Sequence, residues 1–496
     1  MKRLDQLTFL RFAMVMLVLT YHGTTGIYTS NITSPLLTPL LHSAPTAVSY
    51  LYVLSGFVMC LVYFRPNEKF DFWGYWRTRF IRIYPLYIIS FALTCFYYLD
   101  SLLRIKPQKI LANIFVVQAW IPAYSQSFNY ASWSMTVEFF FYAIFPFFLI
   151  WAYRRSNRTL IWLSILLWTV TQAIHFTLWL SYVQVNKEFV VYFPMFHLNS
   201  FILGVVGGIW YMREGRVQKF NSSLVWTLLV GSFLLVAGYT IVSSTIYTAL
   251  PHDLQPMSGL LAPIMVVFII SLALNDSWLS RLLNHPILVT LGETSYAIYI
   301  LHVPVVWLME RALESSTLAD PRHVFDIVML PMMIALGLIA HFFVDVPLRR
   351  WLKKTLLNSS IPLLLLDLLV AGVSVYLVFQ FRFGAGREYD AYRSMIRLIF
   401  WSAFILRIAL SIGFGSATLT SLYAPFWKMI RPLLLSVTVG TVLLAGISFA
   451  GYSAGWFENF PRSIFMMDWL FVVSISLLVR LVLRSLRVNK PEVIPA

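Results

Sequence analysis

The sequence predicts an all-α integral membrane protein with about fourteen transmembrane helices. Apolar residues make up 59% of the 496-residue chain and charged residues only 12%. The mean hydropathy is +0.75, more apolar character than a soluble core requires. Apolar stretches of about 20 residues, the length that crosses a hydrocarbon core, recur along the whole chain. Helices are the expected form because lipid offers no partner to open backbone.

The first stretch, 7–28, follows MKR in the manner of a signal peptide. Arg11 interrupts its apolar run and no A-x-A site follows, so it reads as an uncleaved first span. The next stretches are 45–63, 84–103, 133–153, 159–182, 190–212, 224–246, 258–275, 286–308 and 325–346. Four more, 361–381, 395–413, 433–451 and 464–483, follow the basic RRWLKK segment at 349–354. That change in composition places a module boundary near 355, between 1–355 and 356–496. A shorter run from Ile110 to Trp120 is too short to span and reads as re-entrant or interfacial.

The formal net charge is +16. Its distribution argues for lipid-facing anchoring, not nucleic-acid binding. With the N-terminus inside, the inner loops carry Arg77, Arg79 and Arg82, then Arg154, Arg155 and Arg158, then Arg213, Arg216 and Lys219, then the 349–354 patch. Both termini are therefore expected in the cytoplasm. The Arg-rich stretch 382–397 is the exception to that rule. Cys60 and Cys95 fall in apolar segments and read as unpaired packing residues.

Ionisable groups inside membrane-length stretches are costly and mark candidate sites. Arg11 and His22 lie eleven positions apart on the first span, about 16 Å along a helix axis. Glu138 stands five residues into the fourth span. His302 stands sixteen residues into the ninth. Counting rise from the span ends puts His22, Glu138 and His302 at one level in the outer half of the bilayer. A buried carboxylate beside an imidazole orients the ring and raises its basicity. With no Ser or Cys in a nucleophile motif, the pair favours direct transfer to an acceptor over a covalent enzyme intermediate. The loop WGYWRTRFIRIYP sets Arg77, Arg79 and Arg82 at the inner interface, where guanidinium groups bind phosphate or anchor the chain. Trp73, Tyr75 and Trp76 beside them read as interfacial anchors.

Six segments in order resemble the acyltransferase-3 family of integral-membrane acyltransferases. They are Arg11-x10-His22, YVLSGFVM at 52–59, Arg79-x-x-Arg82, WSMTVE at 133–138, TSYAIYILHVP at 294–304 and VDVPLRRW at 344–351, where Asp345 replaces a commoner Glu. The resemblance implies a ten-helix acyltransferase bundle, here followed by four additional helices. It implies transfer of an acyl group, commonly acetyl, from cytoplasmic acyl-CoA to a hydroxyl of a surface polysaccharide or lipid-linked sugar, in a bacterial inner membrane. By position His22 is implied as catalytic base with Glu138 as its partner. Arg11, Arg79 and Arg82 are implied as donor contacts, and His302, Trp133, Ser134 and Tyr296 as further site residues. No metal and no nucleic acid are expected; membrane lipids are.

Residues 361–487 resemble the four-helix N-terminal membrane domain of polysaccharide-biosynthesis nucleotide-sugar epimerases and dehydratases. That resemblance rests on PRS at 461–463, Asp468-Trp469 and the trailing arginines. No Rossmann domain like that of those enzymes is expected here, so the resemblance implies a glycan setting and no dehydratase activity. Arg462, Asp468 and Trp469 are candidates for structural or substrate-facing roles. A transporter or flippase of lipid-linked saccharides fits the same spans. A scaffold that recruits glycan-assembly proteins through 356–496 fits as well.

Overall fold

A computed structural model describes residues 4–98 apart from 24–33, 35 and 42, then 105, 107–180, 187–249, 259–314, 321–356, 361–383, 392–456 and 460–485. Among these residues the chain is helical, without a strand. It divides into two compact units, Met1–Arg349 and Arg350–Ala496.

The longer helices of the first unit are α1 Thr8–Tyr21, α2 Ala44–Tyr63, α3 Phe72–Tyr97, α4 Trp133–Tyr153, α5 Asn157–Leu180, α6 Leu198–Trp210, α7 Ser222–Ala249, α8 Ala262–Leu274, α9 Pro286–Glu314 and α10 Pro321–Ile339, and α11 Val346–Leu356 runs across the division after Arg349. Those of the second unit are α12 Ile361–Phe383, α13 Arg393–Gly413, α14 Phe426–Ser453 and α15 Ser463–Ser485. Among the described residues, 11 helices are long and apolar enough to cross a membrane. They answer eleven of the fourteen expected spans. The first, eighth and twelfth expected spans are the shorter helices α1, α8 and α13.

One part of the sequence reading is corrected. The segment WGYWRTRFIRIYP is not a loop but the first half of α3, which runs unbroken through Pro85. Asp71 caps it, its side chain accepting from Gly74 N at 3.0 Å, which satisfies one orphan N–H of the first turn. Arg77, Arg79 and Arg82 are therefore presented by a rigid helix. Residues 107–132 include the run from Ile110 to Trp120 that is too short to span. A short helix, Pro107–Ile114, is followed by three single 3₁₀ turns. Irregular backbone needs buried partners inside a membrane protein, and it has them. Asn129 Nδ2 donates to Ile300 O at 2.8 Å, and Gln118 Nε2 donates to Ser132 O at 3.1 Å.

Glycines set the closest helix crossings. A Cβ on Gly204 of α6 would lie 2.0 Å from Val53 O of α2, so only glycine lets these backbones meet. A Cβ on Gly292 of α9 would lie 2.2 Å from Thr8 O of α1. That contact, with His22 against His302 further along, makes α1 and α9 parallel neighbours. Between α10 and α11 the chain takes a π-helical turn, Ala340–Asp345, a form frequent at functional sites.

In the second unit, polar side chains link α12, α13 and α15. Arg480 Nη1 and Nη2 donate to Asp367 Oδ1 and Oδ2 at 2.8 Å each. Arg407 is paired with Asp468, which also accepts from Ser374. Asp468 is thus a buried ion-pair partner. Trp469 donates from Nε1 to Thr438 Oγ1 at 2.9 Å, and Arg462 is exposed.

Candidate active site

Three cavities are arranged along α1. The first, of about 900 Å³, is lined by Arg11, Arg82, Arg216, Glu293, His341 and Arg349. The second, of about 170 Å³, shares Arg11, Arg82 and Arg349 and adds Arg79, Glu138 and Tyr142. The third, of about 280 Å³, is lined by His22, Tyr130, Trp133, Tyr192, His197 and Tyr299. Tyr299 also lines the second cavity, so its side chain stands between the arginine side and the histidine side.

The arginine side is built from α1, α3 and the turn before α11. Arg79 donates from Nη2 to Tyr63 OH at 2.7 Å, with its guanidinium 5.0 Å from that ring's centre. Arg349 donates from Nε to Asp345 Oδ1 at 2.6 Å, and its Nη2 closes a second contact on Asp345. The π-turn buries that carboxylate, which is 1% exposed. Arg11 and Arg82 enter no ion pair among the described residues. The result is a positively charged, partly open chamber with the fork geometry that phosphate groups fit.

The histidine side departs from the expected pairing. His22 caps the C-terminus of α1. Its Nδ1 lies 2.9 Å from Nε2 of His302, not against Glu138. Glu138 instead accepts from Tyr142 OH at 2.6 Å and Ser55 Oγ at 3.5 Å, and it lines the second cavity. The reason is the path of the chain before α4. Gln118 and Asn129 are held by buried backbone partners, and the residues just before Trp133 lie beside His22. Tyr130 sits edge-on to the His22 ring at 4.9 Å. Glu138 lies eight residues past Tyr130, about 12 Å along the helix and on the arginine side.

The remaining expected residues are distributed between the two sides. Trp133 packs against His197 and Tyr192, with ring centres 5.1 and 4.9 Å away, in the third cavity. Ser134 Oγ and Tyr299 OH share a 2.8 Å hydrogen bond. Tyr296 donates to Ile83 O at 2.6 Å, tying α9 to α3 beside the second cavity. Sequence reasoning missed Tyr142, Arg349, Tyr130 and Tyr299. The first two carried a readable signal. Tyr142 is four residues after Glu138, and Arg349 four after Asp345, a spacing that places both members of each pair on one helix face.

The structure brings Arg11, Arg79, Arg82 and Glu138 to one chamber, and His22 and Trp133 to another, with His302 buried against His22. The first suits an anionic group with an extended arm. The second offers an imidazole beside aromatic faces, a surface that suits a sugar ring.

Comparisons with known proteins agree with this architecture. A family model for an acyltransferase domain, acyltransferase-3, matches residues 4–344. The acyltransferase MdmB of Streptomyces mycarofaciens is 26% identical over 351 residues, covering 64% of this chain and 84% of that protein. The O-acetyltransferase OatA of Staphylococcus aureus is 21% identical over 330 residues, covering 61% of this chain and 52% of its own. The peptidoglycan O-acetyltransferase OatA of Listeria monocytogenes is 23% identical over 330 residues, with 61% and 51% covered. The chain thus spans about half the length of the OatA proteins it matches. No solved structure matches it. With the family model covering well over half of its length, the chain belongs to the acyltransferase-3 family of membrane acyltransferases.

Proposed function

We propose that this acyltransferase is an O-acyltransferase moving an acyl group, acetyl in the simplest case, from acyl-CoA to a saccharide hydroxyl. The donor docks with its phosphates on Arg11 and Arg82, while Arg79 and Glu138 line the path of the pantetheine arm. The acceptor is a glycan or lipid-linked sugar held against Tyr130, Trp133 and Tyr192 in the third cavity. His22 takes the hydroxyl proton. The relatives named for O-acetyl transfer and for peptidoglycan support this acceptor class.

The observation that carries the reading is the placement of Arg11 and His22 on one helix, lining chambers that meet at Tyr299. Eleven residues of rise, about 16 Å, separate a phosphate-binding end from a basic end. That is the reach of an extended thioester arm. In this reading both termini face the cytoplasm of a bacterial inner membrane, the arginine chamber opens inward, and the second unit anchors the enzyme beside other glycan-assembly proteins.

Purified protein supplied with radiolabelled acetyl-CoA and a saccharide acceptor should transfer label. His22→Ala should lower that rate by at least about 10³-fold, the scale of a lost general base, while the protein still elutes as a folded species. Wild-type transfer by the variant would remove the proposed mechanism.

A further inference from the structure

We propose that His302 is a positioning residue that fixes the tautomer of His22, through a hydrogen-bond chain that starts at the Tyr299 backbone carbonyl. The proposal rests on His22 acting as the base.

The chain has three links. His302 Nδ1 lies 2.6 Å from Tyr299 O. A peptide carbonyl only accepts, so His302 Nδ1 carries the proton. A neutral imidazole then has a bare Nε2. That nitrogen lies 2.9 Å from His22 Nδ1 and accepts from it, so His22 Nδ1 is protonated. The lone pair of His22 is left on Nε2, the atom directed away from His302. Among the described residues no hydrogen bond engages this Nε2.

Ring geometry supports a true in-plane hydrogen bond. The two rings lie within 8° of one plane with centres 5.1 Å apart. That separation is close to the 2.9 Å contact plus the two ring radii, so the rings lie side by side and the N–H points along the lone pair. Tyr130 stands edge-on to both rings, at 84° to each, and restrains their rotation. His302 is fully buried. A second proton on it would place a cation there, and no carboxylate bonds to it among the described residues, so the neutral form is favoured.

The arrangement matters during transfer. The acceptor O–H proton passes to His22 Nε2 as the oxygen forms a C–O bond at the thioester carbonyl. The C–S bond breaks, and the proton then passes to the leaving thiolate. While His22 carries both protons, its Nδ1–H bond to neutral His302 becomes charge-assisted and stronger. His302 therefore supports the state in which the base is loaded. Glu138 was the expected orienting group; here a carbonyl and a second histidine take that place.

Two substitutions separate this role from packing. A glutamine at 302 reaches far enough to set an amide oxygen where Nε2 stands. An asparagine reaches only the Nδ1 position, keeps the bond to Tyr299 O and leaves His22 Nδ1 without its acceptor. His302→Gln should retain kcat within about tenfold of wild type. His302→Asn should lower kcat by about 100-fold, with KM for donor and acceptor unchanged. Equal kcat for the two variants overturns the proposal. Nitrogen NMR of histidine-labelled wild-type protein is the second measurement, independent of variant folding. It should show His22 protonated at Nδ1 and bare at Nε2, and the opposite tautomer overturns the chain. If the wild-type protein transfers no acyl group, the acyltransfer reading with saccharide fails instead, and the nitrogen spectrum still decides the tautomer.

Discussion

In the four-helix unit, Arg480 is 1% exposed and closes both arms of its guanidinium on Asp367, while Arg407 is held by Asp468. In the acyltransferase unit, Arg11 and Arg82 line the same chamber as Glu138, and no ion pair joins them. Both regions place charge inside apolar helices, where it is costly. In one region opposite charges neutralise each other. In the other, Arg349 is closed on Asp345, but Glu138 is held by Tyr142 and Ser55 and Arg79 by Tyr63, without a pair between them. Charges already paired have little left for a ligand, whereas charges kept apart around a cavity retain their attraction for one. The comparison assigns structure to the paired charges of the four-helix unit and binding to the separated charges of the acyltransferase unit.

The largest effect that tests this contrast lies in the second unit. Asp468→Ala leaves the guanidinium of Arg407 buried without a counter-charge. Breaking a buried pair from one side costs about 3–5 kcal/mol, and thermal unfolding in detergent should show a loss of that size. Replacing Arg407 and Asp468 together by leucine should recover most of it, because apolar residues of similar volume serve as well. A single variant as stable as wild type would mean that the pair is not structural.

The arginine chamber should answer in the opposite way. Arg82→Ala removes a donor to anionic substrate without orphaning a partner, so the unfolding temperature should not fall. A hydrogen bond to a charged group is worth about 1.5–3 kcal/mol. The donor KM should therefore rise roughly 10- to 100-fold, with the acceptor KM unchanged. A large loss of stability with unchanged KM would place Arg82 in the same class as Arg407.

The same distinction explains what the sequence disclosed. Hydropathy made the spans visible because each must match the same lipid thickness. The cost of charge in lipid marks Arg11, His22 and Glu138 as candidate site residues. Partners were harder to read. Depth counted from the start of α4 brings Glu138 level with His22, whereas Tyr130, ahead of that helix, is the residue that meets the His22 ring. Arg349 lay hidden in a basic patch that the positive-inside rule already explained, although Asp345 four residues earlier was the signal. The arginines of α3 read as a loop between apolar stretches, whereas the structure carries the helix from Phe72 through Pro85. The buried pairs of the second unit join residues as far apart as Asp367 and Arg480, and no local pattern encodes that register.

The smallest predicted effect examines what keeps Glu138 apart from the arginines. Tyr142→Phe removes the hydroxyl that donates to Glu138 and leaves the ring beside Arg79, whose guanidinium lies 5.6 Å from its centre. The carboxylate is then free to turn toward Arg11 or Arg82 and form the kind of pair seen in the second unit. A typical hydrogen bond contributes about 1 kcal/mol, so the donor KM should rise only about fivefold, with stability unchanged or slightly improved. The sign of the stability change is the informative part. Weaker donor binding together with a more stable protein means that the chamber holds its charges apart at a cost that the bound donor offsets. Weaker binding with a less stable protein means that Tyr142 is packing support, and the contrast between the two units narrows to Arg11 and Arg82.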